Sequence, residues 1–486
     1  NKIMSIYKNA KSLLVIILLT GSITSCDLLQ PGDIINPNVD EDTYINSSNA
    51  MTSWVNGTNS KMATVVGSFV ELTEILSDDY FNNYSQSSKV FDFPTILYTD
   101  QDVTNLQRGI GTLREMALEG INTISKADKN TTSAQLFNLT YIEGYSYLLA
   151  GEYFVALPME NGGEPKAWQD HLNKAIEVFN SALDMTPVSD EKAFLYTLIA
   201  RAYYRLGDET NAVKYADLSL NLSSSFIKQV SYDGKNGVNN SMQGYVYGNP
   251  YGTAFQPLPR LDFLDPKYFQ TDDPLEQRPI CIAKAEESYL IKAEASIADG
   301  SLNQAKQTMH TLLSLVRNRP VQSNVNDQLE GRYNGGYKEF PNSSEYLVAA
   351  SADDPFRSNL VLDRQAPHVI SVPYISGTSV TDEMVDDCTS SDQLLELLYL
   401  MRQEIFFAEG RRASDLGIRF PLCEVEAANH SAEQYTQAQI PSFIPLNQDM
   451  DAFTMDKVNK TVVIKYNMNK IIVNNKTSQY VVPFIH

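Results

Sequence analysis

One spacing of small residues occurs twice in the chain and constrains the fold more than any other feature of the sequence. An alanine, a glycine seven residues later and an alanine five residues after that occur as Ala200, Gly207 and Ala212, and again as Ala293, Gly300 and Ala305. Small side chains let two helices approach closely, and glycine supplies a tight turn between them. The spacing therefore predicts helical hairpins near residues 193–222 and 287–318.

This pattern is typical of the tetratricopeptide repeat, whose helical hairpins bury their apolar sides by stacking on one another. A third unit is split by a longer link. Gly144, Tyr147 and Gly151 match its first helix, and Ala175 and Phe179 match its second helix. We expect this hairpin near residues 134–187.

Long segments without a sustained period interrupt the helices. They lie near residues 77–101, 223–280 and 320–385, and loops of this length are usually functional or disordered. Further helices are expected over 48–76, 102–126 and 391–409, and short β-like runs over 461–464 and 480–482. We predict a mainly α fold: tetratricopeptide-like helical hairpins with long irregular loop excursions and a few short strands, in a single body over residues 48–486.

The first 25 residues have the composition of a signal peptide. Three lysines precede an apolar run over residues 13–19, which is too short to span a bilayer. The following sequence, GSITSC, places small residues directly before Cys26, as in a bacterial lipobox. We expect lipidation of the Cys26 thiol, cleavage before it, and a tether over residues 26–47. An ordinary signal peptide with a cysteine nearby is the alternative.

Net charge and composition exclude several classes of protein. The 59 acidic residues outnumber the 38 basic ones, and the net charge of -21 repels phosphate backbones, so we expect no nucleic-acid partner. With 43% hydrophobic residues the chain is not disordered throughout. Three further cysteines allow at most one disulfide, and Cys281 and Cys423 are expected to be buried.

The sequence holds no recognisable catalytic or metal-binding motif. Its five histidines are scattered without paired-ligand spacing, and there is no nucleophile elbow or Walker loop. Three acid pairs could act as glycosidase carboxylates, although solvated surface acids are the favoured interpretation: Asp78 and Asp79, Asp272 and Asp273, and Asp353 and Asp354. We therefore expect no enzyme activity, no metal and no cofactor.

Residues 401–417, MRQEIFFAEGRRASDLG, resemble the most recognisable stretch of the SusD/RagB-like outer-membrane lipoproteins of Bacteroidetes. The motif of that family falls on Arg402, Glu404, Glu409, Gly410, Arg412, Asp415 and Leu416. The 287–318 hairpin, the 134–160 segment and the Ser-Asp-Asp sequence at 77–79 also fit the family pattern. The end of the chain, with its β-like tail, departs from it.

A physical interpretation of the motif stands beside the resemblance. Glu409 and Arg412 are three residues apart, as are Arg412 and Asp415, so each pair could meet on one helix face. Gly410 could end or bend the helix. We expect these residues to hold the helix to the repeat body, without a catalytic or ligand role.

The resemblance implies a non-enzymatic, lipid-anchored protein on the surface of the outer membrane. Such a protein captures oligosaccharides or oligopeptides and delivers them to a SusC-like TonB-dependent transporter. A repeat scaffold that assembles outer-membrane complexes is an alternative, and a surface glycosidase is a weaker one. The long excursions, rich in tyrosine and asparagine, favour ligand binding over a pure scaffold.

Aromatic and amide side chains in the excursions are the candidate ligand contacts, because rings stack on ligands and amides hydrogen-bond them. The candidates are Tyr80, Tyr84, Tyr232, Tyr245, Tyr247, Tyr251 and Asn249, with Phe81 and Phe93 and the further amides Asn239, Asn240 and Gln243 beside them. The alternative is that these tyrosines pack the loops together. With 27 tyrosines and only two tryptophans, the composition favours a peptide or a small polar glycan.

Overall fold

Antiparallel pairs of helices make up most of the structure, which is a computed structural model. It describes residues 47–247, 254–270, 273, 275–326, 336–364 and 369–485. The predicted signal peptide, Cys26 and the tether to residue 46 lie outside the described residues, and so do Asn249 and Tyr251.

The helices are numbered here in chain order. They are α1 (Ala50–Ile75), α2 (Gln101–Glu119), α3 (Ser125–Ala127), α4 (Ser133–Tyr153), α5 (Trp168–Ala182), α6 (Ser189–Leu206), α7 (Glu209–Leu222), α8 (Ser241–Val246), α9 (Glu286–Ala298), α10 (Leu302–Arg317), α11 (Asp382–Asp386), α12 (Ser391–Ile405), α13 (Arg412–Asp415), α14 (Glu424–His430) and α15 (Met468–Asn474). A π-helical turn, Gly120–Ile124, joins α2 to α3, and short 3₁₀ turns occupy Lys89–Asp92, Leu183–Met185, Pro259–Leu264 and Glu433–Tyr435.

The three predicted hairpins are confirmed as α4–α5, α6–α7 and α9–α10. Gly207 and Gly300 end the first helix of their hairpins with φ angles of 77° and 75°, the left-handed conformation that glycine adopts without strain. Neighbouring hairpins stack, since α5 packs on α6 and α7 packs on α9. The alanines of the repeated spacing are fully buried in these contacts.

Close helix approach explains the glycines of the split repeat. A Cβ atom at Gly144 would lie 2.5 Å from the Phe179 ring, and one at Gly151 would lie 2.5 Å from Leu172. Any side chain there would push α4 away from α5. The long link between the two helices folds into a two-stranded hairpin, in which Ala156 pairs with Ala167.

Short strands join the excursions to one another. They are β1 (Tyr80–Asn82), β2 (Ala156–Pro158), β3 (Pro165–Ala167), β4 (Ile227–Val230), β5 (Phe255–Pro257), β6 (Ile280–Lys284), β7 (Val321–Asn326), β8 (Leu347–Ala349), β9 (Phe356–Arg357), β10 (Val369–Pro373), β11 (Phe453–Asp456) and β12 (Thr461–Ile464). The two-stranded pairs β1–β5, β2–β3, β4–β6 and β7–β10 are antiparallel. The one four-stranded sheet in the described residues has the order β11-β12-β8-β9, with β12 and β8 parallel.

Two expectations about the C-terminal third differ from the structure. The helix expected over 391–409 ends at Ile405, and the chain turns before α13. The β-like run at 480–482 is not a strand. Its valines are buried, and Phe484 packs edge-on against Tyr204 of α6 at 5.2 Å. Packing against the repeat helices removes these apolar side chains from water, so the run is buried without pairing as a strand. No described helix has the length and apolar character needed to cross a bilayer.

Candidate functional site

The residues of the 401–417 motif lie in the core, where they form ion pairs with distant parts of the chain. Arg402 on α12 donates to Asp415 at 2.7 Å, and Arg205 on α6 reaches the same carboxylate at 2.9 Å. These arginines lower the pKa of Asp415, against the effect of burial. The motif thus joins α12, α13 and the second repeat, which supports the structural role expected for it.

The local pairing expected within the motif is wrong. Glu409 does not pair with Arg412, because its carboxylate accepts from Lys267 and Lys284 at 2.6 and 2.7 Å. Arg412 does not pair with Asp415 but with Asp78, at 2.6 Å. The chain leaves α12 at residue 405, so no continuous helix joins Glu409 to Arg412. Arg412 and Asp415 do share the short helix α13, but each has its partner elsewhere, Asp78 for Arg412 and Arg402 for Asp415.

Glu404 and Gly410 complete the motif. The Glu404 carboxylate accepts from the Thr378 hydroxyl at 2.7 Å and from the Ser379 backbone N–H at 2.8 Å. Gly410 has a φ of 74°, and its backbone N–H donates to Glu74 of α1 at 2.7 Å. Gly410 therefore lies in the turn after α12 and fixes that turn against α1.

The expectation that Asp78 and Asp79 are solvated surface acids is also wrong. Both are fully buried. Arg412 lowers the pKa of Asp78, whereas burial and the neighbouring Asp78 charge raise the pKa of Asp79 to about 7. Neither carboxylate is open to a substrate from the surface. Of the other acid pairs, Asp353 is exposed and Asp272 lies outside the described residues.

The candidate ligand site is a cavity of about 570 Å³ beside α8, in the 223–280 excursion. The cavity is lined by amides, tyrosines and small residues: Gly234, Asn239, Asn240, Ser241, Gln243, Gly244, Tyr245, Tyr247, Gln270, Leu275 and Gln277. None of these described lining residues is charged. Its size falls in the usual range for small-molecule sites, about 300–1,000 Å³.

Tyr245 is the half-buried aromatic residue of this cavity. Its ring is stacked on Phe255 of β5, with ring centres 4.6 Å apart and planes 7° from parallel. Its hydroxyl lies near the Glu71 carboxylate of α1, and burial together with this carboxylate raises the pKa of Tyr245 to about 12. The ring is therefore held in one orientation at the cavity wall.

Amide side chains hold α8 against the loop at residues 275–278. The Asn240 amide donates to the carbonyl of Arg278 at 2.8 Å, and the Gln243 amide donates to that of Glu276 at 2.9 Å. The Gln277 side-chain oxygen accepts from the Asn240 backbone N–H at 2.8 Å. These bonds occupy the buried amides Asn240 and Gln243, which were expected to contact ligand, so their role here is to fix the walls. Asn239 is exposed at the rim.

Two tyrosines proposed as ligand contacts are buried instead. Tyr80 is in the core, where its hydroxyl donates to Asp265 at 2.6 Å and its ring stacks on Phe407 at 4.8 Å. Tyr247 is buried at the base of the cavity, and its hydroxyl donates to the backbone carbonyl of Asn326. Their placement corrects the prediction, because their polar groups already have partners within the protein.

The other described candidates are half-buried at separate places. Tyr232 donates to the Ala63 carbonyl at 2.9 Å and lines a neighbouring cavity of about 550 Å³. Tyr84 lies beside Gly336 and does not line the cavity beside α8. The buried ring of Phe81 has the Lys89 and Lys338 ammonium groups 3.6 and 3.8 Å from its centre. The structure thus brings only Tyr245 and Tyr247 of the seven candidates into one cavity among the described residues.

Three lining residues were missed in the sequence: Gln270, Leu275 and Gln277. They lie within the 223–280 excursion, about 30 residues after α8. Gln270 and Gln277 carry the same signal that selected Asn239 and Gln243, an amide side chain in an irregular segment. The sequence does not show that this loop folds back onto α8.

Metal and disulfide chemistry find no support in the described residues. No group of three histidine, cysteine or acidic side chains is placed there to hold a metal ion. Cys281, Cys388 and Cys423 are free thiols, and Cys281 and Cys423 are buried, as expected.

Fold and cavity together define a helical-repeat protein with an uncharged, amide-lined cavity in an irregular excursion. A SusD-like protein from Bacteroides fragilis is 12% identical with a TM-score of 0.50, over 78% of this chain and 90% of that one. A SusD-like carbohydrate binding protein from Bacteroides vulgatus is 13% identical with a TM-score of 0.49, over 76% and 83%. No family model and no curated protein matches the chain. The first of these structures shows that the chain has a SusD-like fold.

Proposed function

We propose that this chain is a non-enzymatic binding protein that captures a neutral oligosaccharide in the cavity beside α8. The observation that carries the proposal is Tyr245, a ring stacked in one orientation in a cavity whose other polar side chains are amides and hydroxyls. A tyrosine ring can stack on the apolar face of a sugar, and amides can both donate to and accept from its hydroxyls.

The charge of the lining favours a sugar over a peptide. A short peptide brings a charged amino and a charged carboxyl group, whose desolvation needs a charged partner. The described lining residues of the cavity offer none. Sugar hydroxyls need only neutral hydrogen-bond partners, and the lining offers amides, among which Asn239 is exposed at the rim.

We further propose that the protein delivers its ligand to a transporter, and the resemblance of the 401–417 motif supports this. In this proposal Cys26 carries the lipid that anchors the protein to the outer membrane, with the body exposed at the cell surface. The bound oligosaccharide passes inward to a SusC-like TonB-dependent transporter. Binding must be moderate for this purpose, because a ligand held too tightly would not leave.

The test is a calorimetric titration of the purified chain with neutral oligosaccharides and with oligopeptides of similar size, followed by chromatography of the recovered ligand. We expect at least one neutral oligosaccharide to bind and to be recovered intact. Binding of peptides alone would replace the sugar by a peptide ligand. Binding of neither would favour the scaffold, and recovery of shortened sugars would show a glycosidase; each of these results contradicts the proposal.

A further inference from the structure

A second cavity, of about 340 Å³, lies where the start of α5, the turn between α6 and α7 and the C-terminal segment meet. The cavity is lined by Trp168, Gln169, Arg205, Leu206, Gly207, Ser414, Arg419, Gln439, Gln479, Tyr480 and Pro483. None of these residues lines the cavity beside α8. Two arginines and no acidic residue contribute to the described lining, in a chain whose net charge is -21.

Arg419 has no carboxylate partner. Its exposed fraction is only 8%, yet no acidic side chain in the described residues lies within 4.0 Å of its guanidinium. Its Nε donates weakly to the Gly151 carbonyl at 3.4 Å, and its guanidinium lies 4.0 Å from the ring centre of Trp168. The two terminal nitrogens make no hydrogen bond to the described residues, so their donors remain for a ligand.

The other buried arginines around this site are paired. Arg205, which also lines the cavity, donates to Glu152 at 3.1 Å and to Asp415 at 2.9 Å. Arg402 and Arg412 have carboxylates at 2.7 and 2.6 Å. A buried charge without a partner is strongly unfavourable. Burial and the nearby Arg205 charge accordingly lower the pKa of Arg419 to about 9.

The rest of the lining can hold the remainder of a polar ligand. Gln169 and Gln479 are exposed at the rim, and the Gln439 amide is anchored to the Gly417 carbonyl at 2.8 Å. Helix α5 begins at Trp168 without a side-chain cap. The amides can bond hydroxyl groups, and the half-buried Trp168 forms an apolar wall beside them.

We infer that this second cavity binds a small hydroxylated carboxylate of the size of a hexuronic acid. The carboxylate accepts hydrogen bonds from the terminal nitrogens of Arg419, and the hydroxyls meet the glutamine amides. A carboxylate supplies the negatively charged partner that Arg419 lacks. Charge-assisted hydrogen bonds to a guanidinium are among the strong hydrogen bonds of proteins. This inference does not depend on the oligosaccharide proposed for the cavity beside α8.

The experiment uses the intrinsic fluorescence of Trp168. The chain has two tryptophans, so Trp54→Phe leaves Trp168 as the one emitter. This variant is titrated at constant ionic strength with glucuronate, with glucose and with inorganic phosphate. We expect a saturable fluorescence change with glucuronate. The affinity for glucose and for phosphate should be at least about tenfold lower than that for glucuronate, since a charged hydrogen bond contributes ~1.5–3 kcal/mol. Equal affinity for glucose, or for phosphate, would overturn the inference.

Arg419→Gln in the same background should lower glucuronate affinity about tenfold or more, because it removes the charge. Arg317→Gln is the matched control, since it removes an exposed arginine from α10. Unchanged glucuronate binding in a folded Arg419→Gln chain contradicts the assignment. If Arg419→Gln does not fold, the comparison of the three ligands on the Trp54→Phe chain decides by itself.

Discussion

Arg412 and Asp78 are 334 residues apart in the chain and form a two-point ion pair in the core. Arginine Nε lies 2.6 Å from one carboxylate oxygen, and Nη2 lies 3.0 Å from the other. Both side chains are buried. The pair joins the motif after α12 to the segment after α1, which the hydrogen bond from Gly410 to Glu74 also joins.

Arg412→Ala should destabilise the protein by about 3–5 kcal/mol, because it leaves the buried Asp78 charge with only the more distant Arg260 as a partner. Lys174→Ala is the control, since it breaks the exposed pair with Glu177 and should cost below about 1 kcal/mol. Urea unfolding of both variants measures the difference. Equal, small losses would show that the core pair does not hold the motif in place.

Gly410→Ala should destabilise the protein by about 1–2 kcal/mol from its left-handed φ alone. A Cβ atom there would also lie 3.0 Å from the Thr73 hydroxyl and 3.2 Å from the Val70 Cα, which adds to the cost.

Gly111→Ala is the matched control for this substitution. Gly111 lies inside α2 with open space around it, so the change should stabilise the chain by about 0.5–1 kcal/mol. Thermal unfolding should therefore move in opposite directions for the two variants. A shift of the same sign in both would refute the account of the turn after α12.

Stability should fall as the pH rises from about 5 to about 7. Burial raises the pKa of Glu294, Asp79 and Asp451 to about 7, so the native state holds protons that the unfolded chain, with carboxyl pKa values near 4, has released. Acids with a lowered pKa, such as Asp78, have the opposite effect below about pH 4 and do not compensate in this window.

Glu294→Gln should remove part of this pH dependence. Glu294 accepts from the hydroxyls of Tyr204 and Tyr399, and it contributes at most about 3 kcal/mol across the window. Urea unfolding at pH 5 and pH 8 should show a smaller difference for the variant than for the native chain. The same difference in both would mean that Glu294 is ionised in the folded protein at neutral pH.

The helical hairpins could be predicted because their signal is local. Gly207 and Gly300 end helices whose packing partners lie only a few residues away, so spacing alone locates them. The partners of the motif could not be predicted in this way. Asp78 and Lys267 come from segments far from Arg412 and Glu409, and sequence spacing offered only the nearby i, i+3 acids and bases.

Contacts between distant segments also decide which of the candidate tyrosines are buried, and sequence spacing does not reveal these contacts. Tyr80, Tyr245 and Tyr247 are alike in type, and the sequence predicts all three to lie in irregular segments. Their burial is decided by the pairing of β1 with β5, in which Tyr80 lies opposite Pro257, 177 residues further along the chain. Tyr80 is placed inside that contact, and Tyr245 is placed on its edge against Phe255. Composition identified the excursion that holds the cavity, and tertiary pairing decided which of its rings is accessible.

Cys26→Ala should abolish lipid attachment, because the thiol is the acceptor of the diacylglyceryl group in a lipobox. Metabolic labelling with radioactive palmitate, followed by fractionation, measures both attachment and membrane association. Cys388→Ala is the control cysteine, since it lies within the described body. Palmitate label retained in Cys26→Ala would rule out the lipobox and leave the ordinary signal peptide.

The most direct test of the central claim compares oligosaccharide binding by Tyr245→Ala and by Tyr215→Ala. Both changes remove a half-buried tyrosine stacked on another ring, but Tyr215 lies on α7 against Tyr203, outside the cavity beside α8. With the best oligosaccharide from the calorimetric panel, Tyr245→Ala should weaken binding about three- to tenfold, the value of a stacked ring at ~0.5–1.5 kcal/mol. Tyr215→Ala should leave binding unchanged. Equal affinities in both variants, with both folded, would contradict the claim that this cavity holds the ligand.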